Sequence, residues 1–540
     1  MSLACSFLRC LTSNLSIRPN LPPLPLDILG EITFFLDTPS DKLNLCLASK
    51  TVYNYLLPYL YWSLEIYDTK QCLDCVAFLN ANSHLARYVR ALILHPNYLR
   101  MANKKRLLSE VRLADEVTKL IPHLNSLEKF VWDGLEVPRD IVWVALQDHC
   151  PYIKFIGTNL GCRDLTSDSK LFAFRDLTGF SLTTELRDSE FRPSPIMSGE
   201  SLPDELWVML IEHCPNLRSL LIGHRGAMHF SRRQIDVSPI LPARWPQLQF
   251  LTMENCVVYG LLESLDNIEH PRAHFTAFVQ AHPKLTHLHL KGLPSLDIDN
   301  RTPPFALKSY GAALECNPYL AISSGSLREM SLTQKDYSGV FFKYIRHVLS
   351  VNPNVRKLTL SMNFSRENAL EEDGVVSEFD HVHELKSMAA TCKHLEDLTV
   401  ICSTRRKETF FYKEFPEVLV GTSIKRVELW KYHRAGDETP INLAMRIARE
   451  HPSMERIVIR TLHQLWDKEH DPLRILQVGS YKVIRDSNGK ARKLLVNEVG
   501  GETMSWMLTK KCSLTIDYSP KWQSLLENPV WASLSSFNLG

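Results

Sequence analysis

Pro283-Lys284-Leu285-Thr286-His287-Leu288-His289-Leu290 is the stretch on which the fold turns. Counted from Leu285, leucine fills the first, fourth and sixth positions, and a proline stands two residues ahead. Over the last residues apolar and polar side chains alternate, the period of a strand with one buried face. The spacing returns at Leu127/Phe130/Trp132, Leu217/Leu220/Ile222, Leu248/Leu251/Met253, Leu327/Met330/Leu332, Val355/Leu358/Leu360, Leu395/Leu398/Val400, Ile424/Val427/Leu429 and Met454/Ile457/Ile459. Weaker copies sit at Val89/Leu92/Leu94, Ile153/Ile156 and Leu177/Phe180/Leu182.

Proline keeps the same offset at Pro151, Pro215, Pro246, Pro353 and Pro452, where it stops a preceding helix. Helical periodicity precedes several copies, over Leu206 to His213, Phe275 to Ala281, Phe341 to Leu349 and Leu443 to Ala448. Each unit therefore reads as helix, proline turn and short strand. A unit this small cannot bury its apolar face alone, so neighbours stack into a parallel sheet lined by helices, a curved α/β solenoid. The pattern resembles leucine-rich repeats of the long, helix-containing type, and Cys256 and Asn363 stand where that family places Cys or Asn after the strand. A Rossmann-like βαβ sheet is the alternative, and the chain lacks its glycine-rich phosphate loop.

Upstream of the repeats, Leu24 to about Ile66 is densely apolar and reads as three short helices. Pro25 opens the first, with Ile28, Leu29, Ile32 and Leu36 on one face; Pro39 ends the following turn, and Ser40 or Asp41 caps a second helix carrying Leu43, Cys46 and Leu47. Val52, Leu56 and Leu57 continue into a third, which Pro58 stops. Such a unit is too small to be stable alone. Leu24-Pro25, Ile28-Leu29, Ile32, Leu36, Asp41, Leu43, Leu45, Ser49-Lys50, Tyr53, Leu56 and Pro58-Tyr59-Leu60-Tyr61 resemble the F-box, with Asp41-Lys42-Leu43 departing by one residue from the family's Asp-Leu. The resemblance implies docking onto the Skp adaptor and, through it, the cullin core of a ubiquitin ligase, with Leu24, Pro25, Ile28, Leu29, Ile32, Leu36, Leu43 and Leu45 as the adaptor-binding residues. An ordinary helical cap on the following domain is the alternative.

The organisation predicted is a flexible leader over 1–20, the F-box-like helical module over 21–66, the solenoid over 67–470, and a hairpin and capping segment over 471–540. The hairpin joins Ile475–Ile484 to Ala491–Val496 across Asp486-Ser487-Asn488-Gly489, because Asn-Gly supplies the positive φ angles of a tight turn. Arg192 to Asp204, Asn300 to Pro304 and Ser365 to Gly374 read as polar loops.

The 540 residues carry 45% hydrophobic and 23% charged residues, enough apolar material for a large core and too little charge for a disordered chain. A net charge of +2 argues against a protein that coats nucleic acid or an anionic membrane. Thirteen cysteines without paired spacing suit free thiols in a reducing compartment. No stretch approaches 18 uninterrupted apolar residues and no signal peptide is recognisable, so the expected location is intracellular. Lys104-Lys105-Arg106 and Arg405-Arg406-Lys407 are too short to decide between cytoplasm and nucleus.

Catalytic signatures are missing from the sequence: no phosphate loop, no Gly-x-Ser-x-Gly elbow and no His-Glu-x-x-His. The expectation is a non-enzyme without cofactor or metal. Cys72-x-x-Cys75 lacks a second pair and reads as core thiols; His381 and His383 beside Asp380 read as a solvated helix face; Asp297-x-Asp299-Asn300 lacks the rest of a calcium loop.

Recognition is placed on the exposed face of the strands, where alternation puts His287, His289 and Lys291, then Lys357, then Arg426 and Trp430, and finally Arg456 and Arg460. These are the predicted substrate-binding residues. Arginine and tryptophan are enriched at binding hot spots, and guanidinium groups grip carboxylate and phosphate, so one reading is an acidic or phosphorylated segment of a protein substrate. The other is a salt-bridged, solvated face without ligand, covered or not by the C-terminal segment. The functional reading is a substrate-recognition adaptor of an SCF-type ubiquitin ligase. Its rivals are a repeat scaffold without ligase connection and a ribonucleoprotein binder, which the near-neutral charge disfavours.

Overall fold

The computed structural model describes residues 25–36, 39–67, 69–96, 110–134, 136–160, 165–184, 202–224, 235–254, 256–258, 275, 277–291, 306–313, 325–333, 339–362, 381–402, 410–432, 438–463, 474–500 and 514–517. Leu24, the leader 1–20, Asn363, the loops 300–304 and 365–374, the two basic triplets and Asp297 to Asn300 lie outside these residues. The chain forms two compact units, 1–187 with 202–221, and 188–201 with 222–540.

The first unit opens with α1 (Leu26–Phe35), α2 (Pro39–Cys46) and α3 (Lys50–Tyr61). Leu29, Cys46 and Leu56 form their small core, flanked by Leu45, Val52, Tyr53, Tyr55 and Tyr59. Ser49 caps α3, its hydroxyl accepting from the Val52 N–H at 3.2 Å. Two proline readings need correction. Pro39 begins α2, where a missing N–H costs nothing, and Pro58 lies inside α3 rather than ending it. The helix runs on to Tyr61 because Leu56 and the tyrosines pin it to the core, and packing overrides local propensity.

Only Trp62 separates α3 from β1 (Ser63–Tyr67), so the helical module ends at Tyr61 and residues up to Ile66 already belong to the sheet. Trp62 stacks on Tyr59 with ring centroids 6.4 Å apart, and the Arg90 guanidinium lies 4.2 Å from its ring centroid. From β1 each strand pairs in parallel with the next: β2 (Ala91–His95), β3 (Lys129–Trp132), β4 (Phe155–Asn159) and β5 (Gly179–Thr184). The crossovers carry α4 (Thr69–Ala81) with α5 (Ser83–Ala86), α6 (Glu110–Leu120) and α7 (Asp140–His149); α8 (Asp204–Val208) precedes β6 (Ser219–His224). Cys72 and Cys75 are buried on α4, and burial pushes the Cys75 thiol up to about 11, as for core thiols. All described cysteines are free and buried.

In the second unit a two-stranded pair, β7 (Ile235–Asp236) with β9 (Cys256–Val257), flanks the main sheet. The main sheet runs in parallel through β8 (Phe250–Glu254), β10 (His287–Lys291), β11 (Ser309–Ala313), β12 (Glu329–Thr333), β13 (Lys357–Met362), β14 (Asp397–Cys402), β15 (Arg426–Tyr432) and β16 (Arg456–His463). Its crossovers include α9 (Gly339–Val351), α10 (His381–Thr391), α11 (Phe410–Leu419) and α12 (Pro440–Glu450). Sequential parallel pairing with helical crossovers makes this a leucine-rich-repeat-like arrangement, and the anchors of the pattern are buried throughout. One strand escaped the pattern: β11 is a copy with Leu307, Tyr310 and Ala312 at the anchor positions, its leucine and tyrosine buried.

The proline offset has a structural cause. The first anchor donates its N–H three residues back, Leu285 to the His282 carbonyl at 3.0 Å, Val355 to Asn352 at 3.2 Å and Met454 to His451 at 3.1 Å, which closes a β-turn with proline at its second position. His282, Asn352 and His451 are themselves buried beneath these turns.

The predicted hairpin is present as β17 (Arg474–Arg485) and β18 (Ala491–Gly500), antiparallel to each other; β17 pairs antiparallel with β16, and β19 (Leu514–Asp517) adds antiparallel to β18. Its connection is longer than a two-residue Asn-Gly turn: of Asn488 and Gly489 only the glycine has positive φ, at 75°, and Asp486 Oδ1 accepts from the Asn488 and Lys490 N–H groups. No helix among the described residues is long and apolar enough to cross a membrane.

Candidate functional site

Two surfaces hold the residues singled out by the sequence. The first is α1. A 3.6-residue period places positions i, i+4 and i+7 on one side, and Ile28, Ile32 and Phe35 there are 45%, 37% and 80% exposed. Leu29, predicted as an adaptor contact, is only 4% exposed and faces the core, so it supports this surface from behind. Thr33 shares the buried side and donates its hydroxyl to the Leu29 carbonyl at 2.7 Å. Gly30 lies where α3 comes close: a Cβ there would meet the Tyr59 hydroxyl at 3.1 Å. Pro25 precedes the helix at an exposed position, while Leu36, Leu43 and Leu45 are half-buried, Leu45 against the core. Phe35 was not among the sequence-derived candidates; its signal was the seven-residue step from Ile28.

The second surface is the exposed face of the second unit's sheet. Register sets its rows. His287, Ser309, Glu329, Lys357, Asp397, Arg426, Arg456 and Lys482 occupy one row on eight successive strands. Two residues further along, His289 shares a row with Gly311, Ser331, Thr359, Thr399, Glu428, Val458 and Ser480. Trp430 and Arg460 pair one step beyond. Five strand spacings separate His287 from Arg426, roughly 24 Å, so the predicted residues fall into two clusters.

The first cluster is aromatic. Phe250, exposed in the same row on β8, stacks on His287 with centroids 4.3 Å apart. His289 shares a hydrogen bond with the Ser309 hydroxyl at 2.9 Å and lies over Gly311, where a Cβ would come within 2.5 Å of its Nδ1. Burial pushes the His287 imidazole below its ordinary range; the Glu329 carboxylate opposes this and the Lys308 ammonium adds to it. Lys291 is placed by backbone register opposite Glu254.

The second cluster is charged and largely self-paired. Arg426 Nε donates to Asp397 Oδ1. Arg460 Nε and Trp430 Nε1 both donate to Glu428 Oε1 at 2.7 Å, and the Arg460 guanidinium stands 5.1 Å from the Trp430 ring centroid. Lys357 faces Glu329 at 3.9 Å. Among the described residues Arg456 makes only a long contact to the Ser480 hydroxyl, 3.5 Å, and Lys482, which alternation within the hairpin could have revealed, is exposed beside it. The hairpin extends the sheet sideways from β16 rather than lying over its face.

No family model matches the sequence, and no curated protein matches it. Among solved structures, a chain of the crystal structure of the Rad7 and Elc1 complex in yeast is similar with 14% identity and a TM-score of 0.39, the match covering 77% of this chain and 94% of that one. An internalin (inlF) from Listeria monocytogenes is similar with 13% identity and a TM-score of 0.28, over 72% of this chain and 95% of that one.

Proposed function

We propose that this chain is a non-catalytic substrate-recognition adaptor of an SCF-type ubiquitin ligase. The observation that carries the reading is the Ile28, Ile32 and Phe35 stripe on α1: three large apolar side chains exposed together, on a helix whose other side is already satisfied by the module's own core. Such a patch has the character of a partner surface. In this reading the α1 face binds the Skp adaptor, the cullin core follows through it, and the solenoid face holds a protein substrate. The contribution to catalysis is effective concentration, keeping a substrate lysine near the charged conjugating enzyme.

The test is co-purification of the full chain with the Skp adaptor beside an I28A/I32A/F35A variant. Binding by the wild type and its loss in the variant is the expected result. Absence of binding by both chains sinks the reading and leaves a repeat scaffold with a helical cap.

A further inference from the structure

We propose that the exposed face of β15, β16 and β17 binds an extended acidic peptide segment through Arg426, Arg456 and Lys482. The proposal rests on the reading that the solenoid face carries the protein partner, and names the chemistry of that partner. Register sets the three cations side by side on adjacent strands, about 4.8 Å apart at the backbone. Like charges opposite one another across strands are destabilising, so such a row gains from an anion that the fold itself does not supply. Along this face two other basic residues have carboxylates: Lys357 has Glu329, and Arg460 has Glu428. Of the two carboxylates in the row that includes Lys482, Glu329 faces Lys357 and Asp397 is engaged by Arg426, and among the described residues no carboxylate pairs with Arg456 or Lys482. Within this row the segment Arg426, Arg456 and Lys482 thus has the single carboxylate of Asp397 beside it.

Geometry selects the ligand class. The cations lie in a line over two strand spacings, roughly 10 Å, which suits charge spread along a chain better than one compact dianion. In an extended peptide alternate side chains point the same way about 6.8 Å apart, so carboxylates at i and i+2 both reach the row. Trp430, two rows along the same strand and fixed by Glu428, offers an amphipathic surface further along this face. A nucleic-acid backbone is disfavoured because Glu329, Asp397 and Glu428 are interspersed on the same face.

The experiment measures binding of the full chain to fluorescein-labelled twelve-residue peptides by anisotropy at low salt. The probes are alternating Asp and Ala, the same peptide with Asn for Asp, an Ala peptide with one phosphoserine, and a twelve-nucleotide single-stranded RNA. The Asp peptide is expected to bind, the Asn peptide to bind at least about tenfold more weakly, and R456E/K482E to lose the difference. K154E, a charge reversal on β4's approach in the first unit, should leave binding unchanged. Equal or undetectable binding of the Asp and Asn peptides overturns the proposal, as does tighter binding of the phosphoserine peptide or the RNA, or retention of Asp-peptide binding by R456E/K482E. I28A/I32A/F35A should bind the Asp peptide like the wild type, so loss of adaptor docking and loss of peptide binding are read separately.

Discussion

Arg460 Nε donates to Glu428 Oε1 at 2.7 Å, diagonally across two neighbouring strands, and the same oxygen accepts the Trp430 indole N–H. This shared acceptor turns three candidate or neighbouring residues into one closed unit, and it moves the unsatisfied charge to Arg456. Both charged side chains are partly exposed, which limits the worth of the pair to about 1 kcal/mol. A double-mutant cycle of E428A and R460A should return a coupling of that size. Trp430 reports independently: E428A removes the acceptor of its N–H and should shift its emission. Additive single effects with unchanged emission would mean the contact does not form in solution.

Arg485 closes the end of the parallel stack. Its Nη2 donates to the carbonyls of His451 at 2.7 Å and Met454 at 2.9 Å, and Nη1 to Gly489 at 3.1 Å. One guanidinium therefore ties the hairpin to the turn that follows α12, where the carbonyls at a helix C-terminus favour a cation. R485A should destabilise the second unit by about 2 kcal/mol in urea unfolding, since hydrogen bonds to charged groups are each worth about that much. R485K, a single point charge without the planar fork, should recover only part of it.

The repeat was legible because each strand spends its buried positions on large aliphatic anchors, as Leu285, Leu288 and Leu290 do. The β11 copy was not, because Tyr310 and Ala312 replace two of those anchors and Leu307 follows Leu285 after an interval too short for a full helical unit. Pro58 misled for the opposite reason: a strong local signal was outweighed by packing at Leu56 and Tyr59. At the site, alternation correctly indicated which residues share the face. It could not indicate that Asp397 meets Arg426, or that Glu428 meets Arg460, because those pairs depend on register between segments about thirty residues apart.

His282 ties stability to pH. Its Nε2 accepts the Trp245 N–H at 3.1 Å and its Nδ1 stands 2.6 Å from the Phe278 carbonyl, so the neutral ring fits the site with Nδ1 as donor. Burial pushes this imidazole below its ordinary range, the Phe278 carbonyl opposing and Arg244 reinforcing the change. The unfolded chain, with an imidazole near the ordinary value of about 6.5, then binds more protons than the folded one as pH falls. The stabilisation is complete above that value and is lost as pH drops through the lower folded value. Urea midpoints measured from pH 7.5 down to 5 should decline, and H282Q should flatten the decline attributable to this site. A wild-type midpoint constant over that range would contradict the assignment.

Docking and folding can be separated on α1 itself, because neighbouring residues point in opposite directions. Leu29 is packed against Cys46 and Leu56, so L29A leaves a cavity and should cost about 3 kcal/mol. I28A and I32A remove side chains that are partly in water and outside the module's core, and each should cost about 1 kcal/mol or less, well below L29A. If the exposed stripe is the adaptor surface, I28A/I32A/F35A abolishes co-purification while its unfolding midpoint stays near that of the wild type. L29A should show the reverse dissociation at low temperature, with a lowered midpoint and retained adaptor binding in the fraction that is folded. Loss of binding that tracks loss of stability across all four positions would instead mark α1 as a structural cap.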